Sequence, residues 1–235
     1  MKLNDSDKYM GVFSTSLAVD DLANYIGLQV KNFFPDGNVD TRELRASIND
    51  ALDRMEYCIF RTNIKGFWHT NGPVYNHLNT DQHAMFLYFL SNTVFTRYED
   101  LRLADKIYGL NKALHGVDIF YEVCLPAVFA LMHPVGTVLG RASYSDFFLA
   151  YQNVSVGSDL DGNTPVFGEG IVMYGGSRVI GNVKVGDNCL ISAGTGVLRG
   201  GIPPNRVAFG QHPKVQTKET RHSVINDIFK PLSRL

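Results

Sequence analysis

The sequence predicts an α + β protein, with a mostly helical N-terminal domain in residues 1–131 and a β-solenoid in residues 132–215. In the first half, apolar residues recur every three or four positions, as on one face of an α-helix. In the second half they recur every six. A six-residue period fits neither the 3.6 of an α-helix nor the 2.0 of a flat strand, so it indicates short strands separated by turns. Residues 216–235 are expected to form a C-terminal tail.

The helices of the first half follow from spacing and end signals. Residues 42–54 place Leu44, Ile48 and Leu52 on one face of a helix. A more buried helix is predicted over residues 81–95, with Thr80 or Asp81 as its cap. A third helix over residues 100–114 ends near Gly116. The glycine- and aromatic-rich segment 64–77 is predicted as a loop, and residues 117–132 as a helix.

The repeat has one apolar column, one column of small or β-branched residues, and one interruption. The first column has strict six-residue spacing and consists of Phe167, Met173, Val179, Val185, Ile191 and Val197. The second lies four positions after each of the first five residues of the first column and consists of Ile171, Ser177, Val183, Cys189 and Thr195. Glycines expected at tight corners with positive φ are Gly168, Gly175, Gly176, Gly181, Gly186 and Gly194. Residues 158–165 have loop chemistry throughout and are expected to extend out of the solenoid, where binding residues are frequent.

Composition excludes several classes of protein. The net charge of −1 provides no basic field for nucleic acid. The longest apolar run, residues 123–132, contains a proline and is too short to span a bilayer. The N-terminal residues lack the pattern of a signal peptide. Three cysteines without CxxC spacing, and histidines without a ligand spacing, predict neither a disulfide framework nor a metal site. We therefore expect a cytoplasmic protein without membrane insertion, nucleic acid or metal.

Three motifs carry a family resemblance that covers residues 115–215. The run HPVGTVLG matches the H-A-T-G-I-V-hydrophobic-G pattern of serine O-acetyltransferases at His133, Gly136, Val138 and Gly140. QNVSVG, residues 152–157, resembles their Q-S-V-T-L-G, and GIVMYGGSRVIGNVKVG, residues 170–186, resembles their central repeats. With the ending GGIPPNRVAFGQHPKV, the sequence resembles the left-handed β-helix acyltransferases of the hexapeptide-repeat class, and among them the serine O-acetyltransferases.

This resemblance implies a left-handed parallel β-helix after a helical domain, assembled as a homotrimer or a dimer of trimers. It implies acetyl transfer from acetyl-CoA to L-serine, the step that forms O-acetylserine for cysteine biosynthesis. His133 matches the catalytic histidine, and Asp118, fifteen residues earlier, matches its aspartate partner. Taken alone, His133 could equally be a structural histidine at the junction and Asp118 a cap. Glu122 is an alternative partner, and His115 a second candidate base.

The chemistry fits these residue types. A neutral imidazole can take the acceptor's hydroxyl proton and return it to the leaving thiolate, while a carboxylate holds the other ring nitrogen. The resemblance places coenzyme A in a groove between subunits. Its candidate contacts are backbone groups and cations: Gly157, Gly175, Ser177 and Ala193, with Arg178, Arg199, Arg206 and Lys214 for the phosphates. Each cation is also consistent with an ordinary surface charge.

On the acceptor side the sequence departs from the family. Met132 stands where the family has an aspartate, and Asn163 and Thr164 stand in the extruded loop where it has Arg-His. Asp81 is a further candidate for the acceptor pocket, because family members bring an aspartate to it from the helical domain. A neutral loop leaves a sugar or polysaccharide acceptor as the alternative to serine, and a catalytically inactive scaffold as the non-enzyme alternative.

Overall fold

The computed structural model describes residues 11–37 and 40–230. Its α-helices are α1 (Val19–Phe33), α2 (Thr41–Phe60), α3 (Thr80–Thr93), α4 (Leu101–His115) and α5 (Val224–Ile228). A π-helical turn, Val94–Tyr98, follows α3, and a 3₁₀ turn, Lys65–Phe67, lies after α2.

The strands are short, as the six-residue period requires. They are β1 (Ser14–Thr15), β2 (Trp68–His69), β3 (Gly72–Tyr75), β4 (Phe129–Leu131), β5 (Val138–Leu139), β6 (Phe148–Ala150), β7 (Ser155–Gly157), β8 (Val166–Phe167), β9 (Ile171–Met173), β10 (Arg178–Ile180), β11 (Val183–Val185), β12 (Cys189–Ile191), β13 (Gly196–Val197), β14 (Gly200–Ile202), β15 (Arg206–Phe209) and β16 (Gln216–Glu219). The first three form a small sheet beside the helices.

The second half is a solenoid of three parallel sheets. The sheets have the orders β4-β6-β9-β12-β15, β5-β7-β10-β13 and β8-β11-β14, with β16 added antiparallel to β15. The chain visits the three sheets in turn. Ile171 pairs with Cys189, eighteen residues later, so one coil takes three six-residue units. The predicted β-solenoid is therefore confirmed.

Both predicted columns point into the core. Every member of the column that begins at Phe167, and every member of the column that begins at Ile171, is buried. Identical positions of successive coils thus stack on one another, and the apolar side chains leave water together. Residues 158–165 leave the solenoid between β7 and β8, as predicted.

Tertiary packing explains why α3 is buried on nearly every side. It lies between α2 and α4 and also contacts β4, so almost all of its residues are buried. Its cap is Asn79, whose side chain accepts hydrogen bonds from the N–H groups of Asp81 and Gln82. The predicted cap, Thr80 or Asp81, is therefore wrong by one or two positions, and the Asp81 carboxylate has other contacts.

The other helix predictions have mixed outcomes. The α4 helix begins after the cap residue Asp100 and ends at Gly116, with φ at +62°, as predicted. The α1 helix was not predicted, although Leu22, Ile26 and Val30 have the same four-residue spacing and are buried. Segment 64–77 contains β2 and β3 in addition to loop.

Residues 117–132 are not a helix. The Asp118 N–H donates to the carbonyl of Thr137 (2.8 Å), and the carbonyl of Asp118 accepts from Leu139 (3.0 Å), so the segment already pairs with the solenoid. Pro126 interrupts any helix there, and β4 pairs with β6. Parallel pairing thus begins inside the range assigned to the helical domain.

The C-terminal segment folds back onto the solenoid. The α5 helix and Phe229 cover the outer face of the largest sheet, in a second apolar cluster with Ala130, Leu149 and Val172. The N–H of Asn63, just after α2, donates to the carbonyl of Ile228 (2.7 Å). The described part of the predicted tail is thus an ordered element, and residues 231–235 lie outside the described residues. None of the helices described has the length and apolar character needed to cross a membrane.

Candidate active site

His133 lies at an enlarged corner of the solenoid. Six residues separate β4 from β5 at this corner, whereas four separate β9 from β10. Gly136, with φ at +74°, occupies the position that Gly176 and Gly194 hold at the later corners. His133 has a positive φ of its own, +51°, in the left-handed region that non-glycine residues rarely adopt. Its side chain is 74% exposed and free to meet a substrate.

A cavity of about 380 Å³ opens beside this corner. The first turn of α3 and the C-terminal end of α4 form two of its walls, and the enlarged corner forms the third. Its lining residues are Thr80, Asp81, Leu114, His115, Gly116, His133, Pro134 and Val135. The cavity thus joins the helical half of the chain to the first coil of the solenoid.

Asp81 is the carboxylate in contact with His133. Its Oδ1 accepts a hydrogen bond from the backbone N–H of His133 (3.0 Å), and its Oδ2 lies 3.8 Å from Nδ1 of the same residue. The Asp81 side chain is 13% exposed, and burial raises its pKa above the ordinary value. Asp81 thus lines the cavity, and its role toward an acceptor stays a prediction.

Asp118, by contrast, is joined to other side chains. Its Oδ1 accepts from the Tyr108 hydroxyl (2.7 Å) and its Oδ2 from Nζ of Lys112 (2.6 Å). Burial acts to raise the pKa of Asp118, but the bonds from Lys112 and Tyr108 hold it below the ordinary value. The predicted contact between Asp118 and His133 is therefore not present in the structure. Glu122, the alternative, is exposed and does not line the cavity.

His115, the second candidate base, faces inward from the wall of the cavity. Its Nε2 is buried and has no hydrogen-bond partner among the described residues. Its ring meets the ring of His83 edge-on, with centroids 5.4 Å apart, and burial lowers the pKa of His115. This position favours a structural role over proton transfer to a ligand.

The acceptor residues predicted outside the helical domain are placed elsewhere. Met132 packs on the outer face of the largest sheet, in the cluster that α5 covers, and does not line the cavity. Asn163 donates from Nδ2 to both carboxylate oxygens of Asp159 (3.2 and 3.0 Å) within its own loop. Thr164 is half-buried in the same loop. In a single chain, none of the three lines the cavity beside His133.

Two predicted coenzyme A contacts share an edge of the solenoid with His133. Leu131, Ala150, Met173 and Ile191 are in register across neighbouring strands. His133, Gly175 and Ala193 each follow one of these residues by two positions, so they lie along one edge, at about 4.8 Å per coil. The edge offers a long track that begins at the histidine.

The other predicted coenzyme A contacts either bind other groups of the chain or are exposed. Ser177 points its side chain into the core, where Oγ has no hydrogen-bond partner among the described residues, and its N–H donates to the carbonyl of Tyr174 (3.0 Å). Arg206 pairs with Glu219 of β16 at 3.3 Å. The roles of these two residues as coenzyme A contacts stay predictions. Arg178, Arg199 and Lys214 are exposed, and the carbonyl of Gly157 accepts from Gly181 within the coil. No cluster of three or more His, Cys, Asp or Glu that could hold a metal occurs in the described part of the chain.

The comparisons with solved structures agree with this architecture. A serine acetyltransferase from Brucella abortus strain S19 superposes with a TM-score of 0.66 at 17% identity, over 86% of this chain and 83% of that one. The Neisseria gonorrhoeae serine acetyltransferase in complex with serine gives 0.59 at 20% identity, over 84% and 83%. The chain has the fold of the serine acetyltransferases. The Brucella enzyme in complex with coenzyme A gives 0.65 at 16% identity, over 88% and 85%.

Curated relatives that match part of this chain are named serine acetyltransferases. A serine acetyltransferase of Synechococcus elongatus is 33% identical over 94 residues, 38% of this chain and 38% of that protein. One from Mycobacterium tuberculosis is 29% identical over 132 residues, 54% of this chain and 57% of that protein. The chain thus spans about half the length of the curated relatives it matches. No family model matches the chain.

Proposed function

We propose that this protein is an acetyl-CoA-dependent acetyltransferase that acts on the hydroxyl of L-serine. The observation that carries the proposal is the position of His133, exposed on an enlarged corner, beside a cavity and at the end of an edge shared with Gly175 and Ala193. The names of the curated relatives support it, as do the complexes of structural neighbours with coenzyme A and with serine.

The reaction needs one base that acts twice. As the acceptor oxygen bonds to the thioester carbon, its proton moves to Nε2 of His133. When the carbon–sulfur bond breaks, the same proton passes to the leaving thiolate of coenzyme A. No covalent enzyme intermediate is required, because the acceptor attacks directly in a ternary complex. Backbone N–H groups at the Gly175 corner would stabilise the oxyanion. The N–H of Gly176 is not among them, because it already donates to the carbonyl of Gln152 (2.9 Å).

The proposal includes the finer architecture. In this proposal the solenoid is a left-handed β-helix. The chains assemble as a homotrimer or as a dimer of trimers, and the protein is cytoplasmic. Coenzyme A then lies in the groove between subunits, along the edge of His133, Gly175 and Ala193. Arg178, Arg199 and Lys214, all exposed, are available for its phosphates.

A neutral acceptor, such as a sugar hydroxyl, is the second candidate. A carboxylate ligand requires a cation or several donors, yet none of the described residues that line the cavity is Lys or Arg. Asn163 and Thr164 add no charge. This lining favours an uncharged acceptor unless a neighbouring subunit supplies the cation.

The deciding measurement is thiol release from acetyl-CoA with L-serine and with a panel of sugars and amino sugars. We expect release with serine that falls about 10²- to 10⁴-fold in His133→Ala, while His69→Ala, an exposed histidine outside the site, keeps wild-type activity. Release only with a sugar would transfer the proposal to the second candidate. No release and no binding of acetyl-CoA in calorimetry would leave an inactive scaffold.

A further inference from the structure

Another cavity lies on the helical half of the chain and shares no lining residue with the cavity beside His133. It has a volume of about 290 Å³ and opens between α2, α3, the π-helical turn and the residue two positions before β4. We name it the Arg54 cavity. Its lining residues are Asp50, Asp53, Arg54, Tyr57, Phe89, Arg97 and Ala127.

The Arg54 cavity contains a cation that has no carboxylate partner. Nη1 of Arg54 donates to the hydroxyl of Thr93 (2.8 Å) and to the carbonyl of Phe89 (3.3 Å), and the guanidinium lies 4.8 Å from the centre of the Phe89 ring. In the described ranges, no carboxylate lies within ion-pair distance of Arg54. Lys106, another buried cation of the helical half, does have such a partner in Asp36.

The surroundings of Arg54 disfavour its charge. Burial lowers the pKa of the Arg54 guanidinium, and the charge of Arg97 acts in the same direction. Arg97 itself is paired, because its Nη1 lies 3.0 Å from Oδ2 of Asp50, which also accepts from the Tyr98 hydroxyl (3.1 Å). Asp53, the other acidic residue of the lining, is exposed to water. Since an arginine stays charged at neutral pH, an anion in the cavity would supply the counter-charge that the fold does not.

The remaining lining suits an apolar group. Phe89 and Tyr57 contribute aromatic rings, and Ala127 contributes a methyl group at the exposed rim. Both rings are held in place. The Phe89 ring packs 5.1 Å from the ring of Phe129 in β4, and the guanidinium of Arg61 lies 3.4 Å from the centre of the Tyr57 ring. A preformed apolar cavity with one cation is typical of a site for a small organic ligand.

We propose that the Arg54 cavity binds a small organic acid, whose carboxylate contacts Arg54 and whose apolar body lies against Phe89 and Tyr57. A guanidinium binds a carboxylate through charge-assisted hydrogen bonds. Thr93 and Phe89 occupy Nη1, which leaves other N–H groups of the guanidinium for the ligand. The site is separate from the catalytic cavity, so its existence does not depend on the proposed function.

Three probes in ligand-observed NMR titrations of the full chain test the site. Benzoate has both a carboxylate and an apolar ring, benzamide is its neutral counterpart of similar shape, and acetate lacks the ring. We expect benzoate to bind with a dissociation constant in the millimolar range, as is usual for so small a ligand. Benzamide and acetate should each bind at least about tenfold more weakly. Equal binding of benzoate and benzamide, or no binding of benzoate, would overturn the proposal.

Two variants test whether benzoate occupies this cavity. Arg54→Gln keeps a hydrogen-bonding side chain without the charge and should weaken benzoate binding at least about tenfold. Ala127→Leu fills the rim of the cavity, leaves Arg54 and its bonds in place, and should also weaken binding at least about tenfold. The second variant keeps the test decisive even where the first lowers the melting temperature.

Two further variants are the controls. Arg42→Gln, at an exposed arginine of the same helix, and His133→Ala, in the other cavity, should both bind benzoate like the wild type. A loss of binding in either control would place benzoate elsewhere on the protein. Unchanged binding in Arg54→Gln or in Ala127→Leu would do the same, and each of these results would overturn the Arg54 cavity as the site.

Discussion

The backbone of His133 is the least ordinary feature of the site at the scale of single residues. A positive φ at a non-glycine residue costs on the order of 1–3 kcal/mol and persists only where surrounding contacts impose it. Here the imposing contact is a bond to Asp81, 52 residues earlier in the chain. The HPVGTVLG motif identified the histidine from the sequence. Nothing in that motif indicates Asp81, because the partner is on another element.

His83 is a second residue whose state depends on packing. Its Nδ1 lies 2.7 Å from the Tyr75 hydroxyl, and its Nε2 is buried without a partner among the described residues. Burial, with a smaller effect of His115, lowers the pKa of His83 from 6.5 to about 3. The folded protein therefore keeps this histidine neutral under conditions in which the unfolded chain protonates it.

This difference predicts a loss of stability in acid. As pH falls from 6.5 towards 3, the unfolded state binds a proton that the folded state does not. The free energy of unfolding should therefore decrease by up to about 1.4 kcal/mol per pH unit from this group. Urea unfolding at about pH 7 and about pH 5 measures it. In His83→Gln the free energy of unfolding should depend less on pH, whereas His69→Gln, at an exposed histidine, should behave like the wild type. The same pH dependence in the wild type and both variants would contradict the prediction.

At the scale of elements, the corner glycines divide into two groups. Gly176, Gly181 and Gly194 have φ between +70° and +76°, as the sequence predicted. Gly168, Gly175 and Gly186 do not have positive φ, and the prediction was wrong for them. A side chain there would collide with a neighbouring coil: a Cβ on Gly186 would lie 2.6 Å from the nitrogen of Pro204. Stacking distance between coils, rather than backbone conformation, requires these glycines.

Gly186→Ala should therefore destabilise the solenoid by about 1–3 kcal/mol, the usual cost of overpacking. Gly157→Ala is the matched control, because its Cβ would meet only Ile180 Cδ1 at 4.0 Å, and it should change stability by less than about 0.5 kcal/mol. Urea unfolding of the two variants compares them. An equal loss of unfolding free energy in both variants would mean that the distance between coils does not restrict the residue at position 186.

At the scale of the whole molecule, the C-terminal segment links the two halves. Phe229 is 1% exposed and packs beneath α5 against the outer face of the largest sheet. It also forms a bridge with Thr62 at the end of α2. The last described residues thus tie the first half of the chain to the solenoid, and apolar area on the outside of the sheet is covered by this segment.

Phe229→Ala should lower the free energy of unfolding by about 3–5 kcal/mol, the range for large aromatic side chains removed from a core. Phe33→Ala removes the same atoms from a residue that is 49% exposed and should cost much less. Denaturant unfolding, followed by circular dichroism, compares the two. A small loss in Phe229→Ala would show that the C-terminal segment is dispensable for the fold.

The sequence by itself determined the features that repeat or that are local. The six-residue period predicted a solenoid of short strands separated by turns, because each position of a solenoid meets its own equivalent one coil later. The four-residue spacing that begins at Leu44 predicted α2, and Gly116 predicted the end of α4. Both signals are local, because they depend only on residues close together in the sequence. The same reasoning fails over residues 117–132, since a short apolar run fits a buried strand as well as a helix.

Only the tertiary structure decided which groups meet. Asn79 rather than Thr80 caps α3, Asp81 reaches His133, and Asp118 turns to Tyr108 and Lys112. Each of these outcomes depends on how the ends of α3 and α4 pack against the first coil. Periodicity reports which face of an element is buried, but it contains no information on the neighbour that buries it. The fold could therefore be predicted from the order of residues, whereas the partners of the candidate catalytic histidine could not.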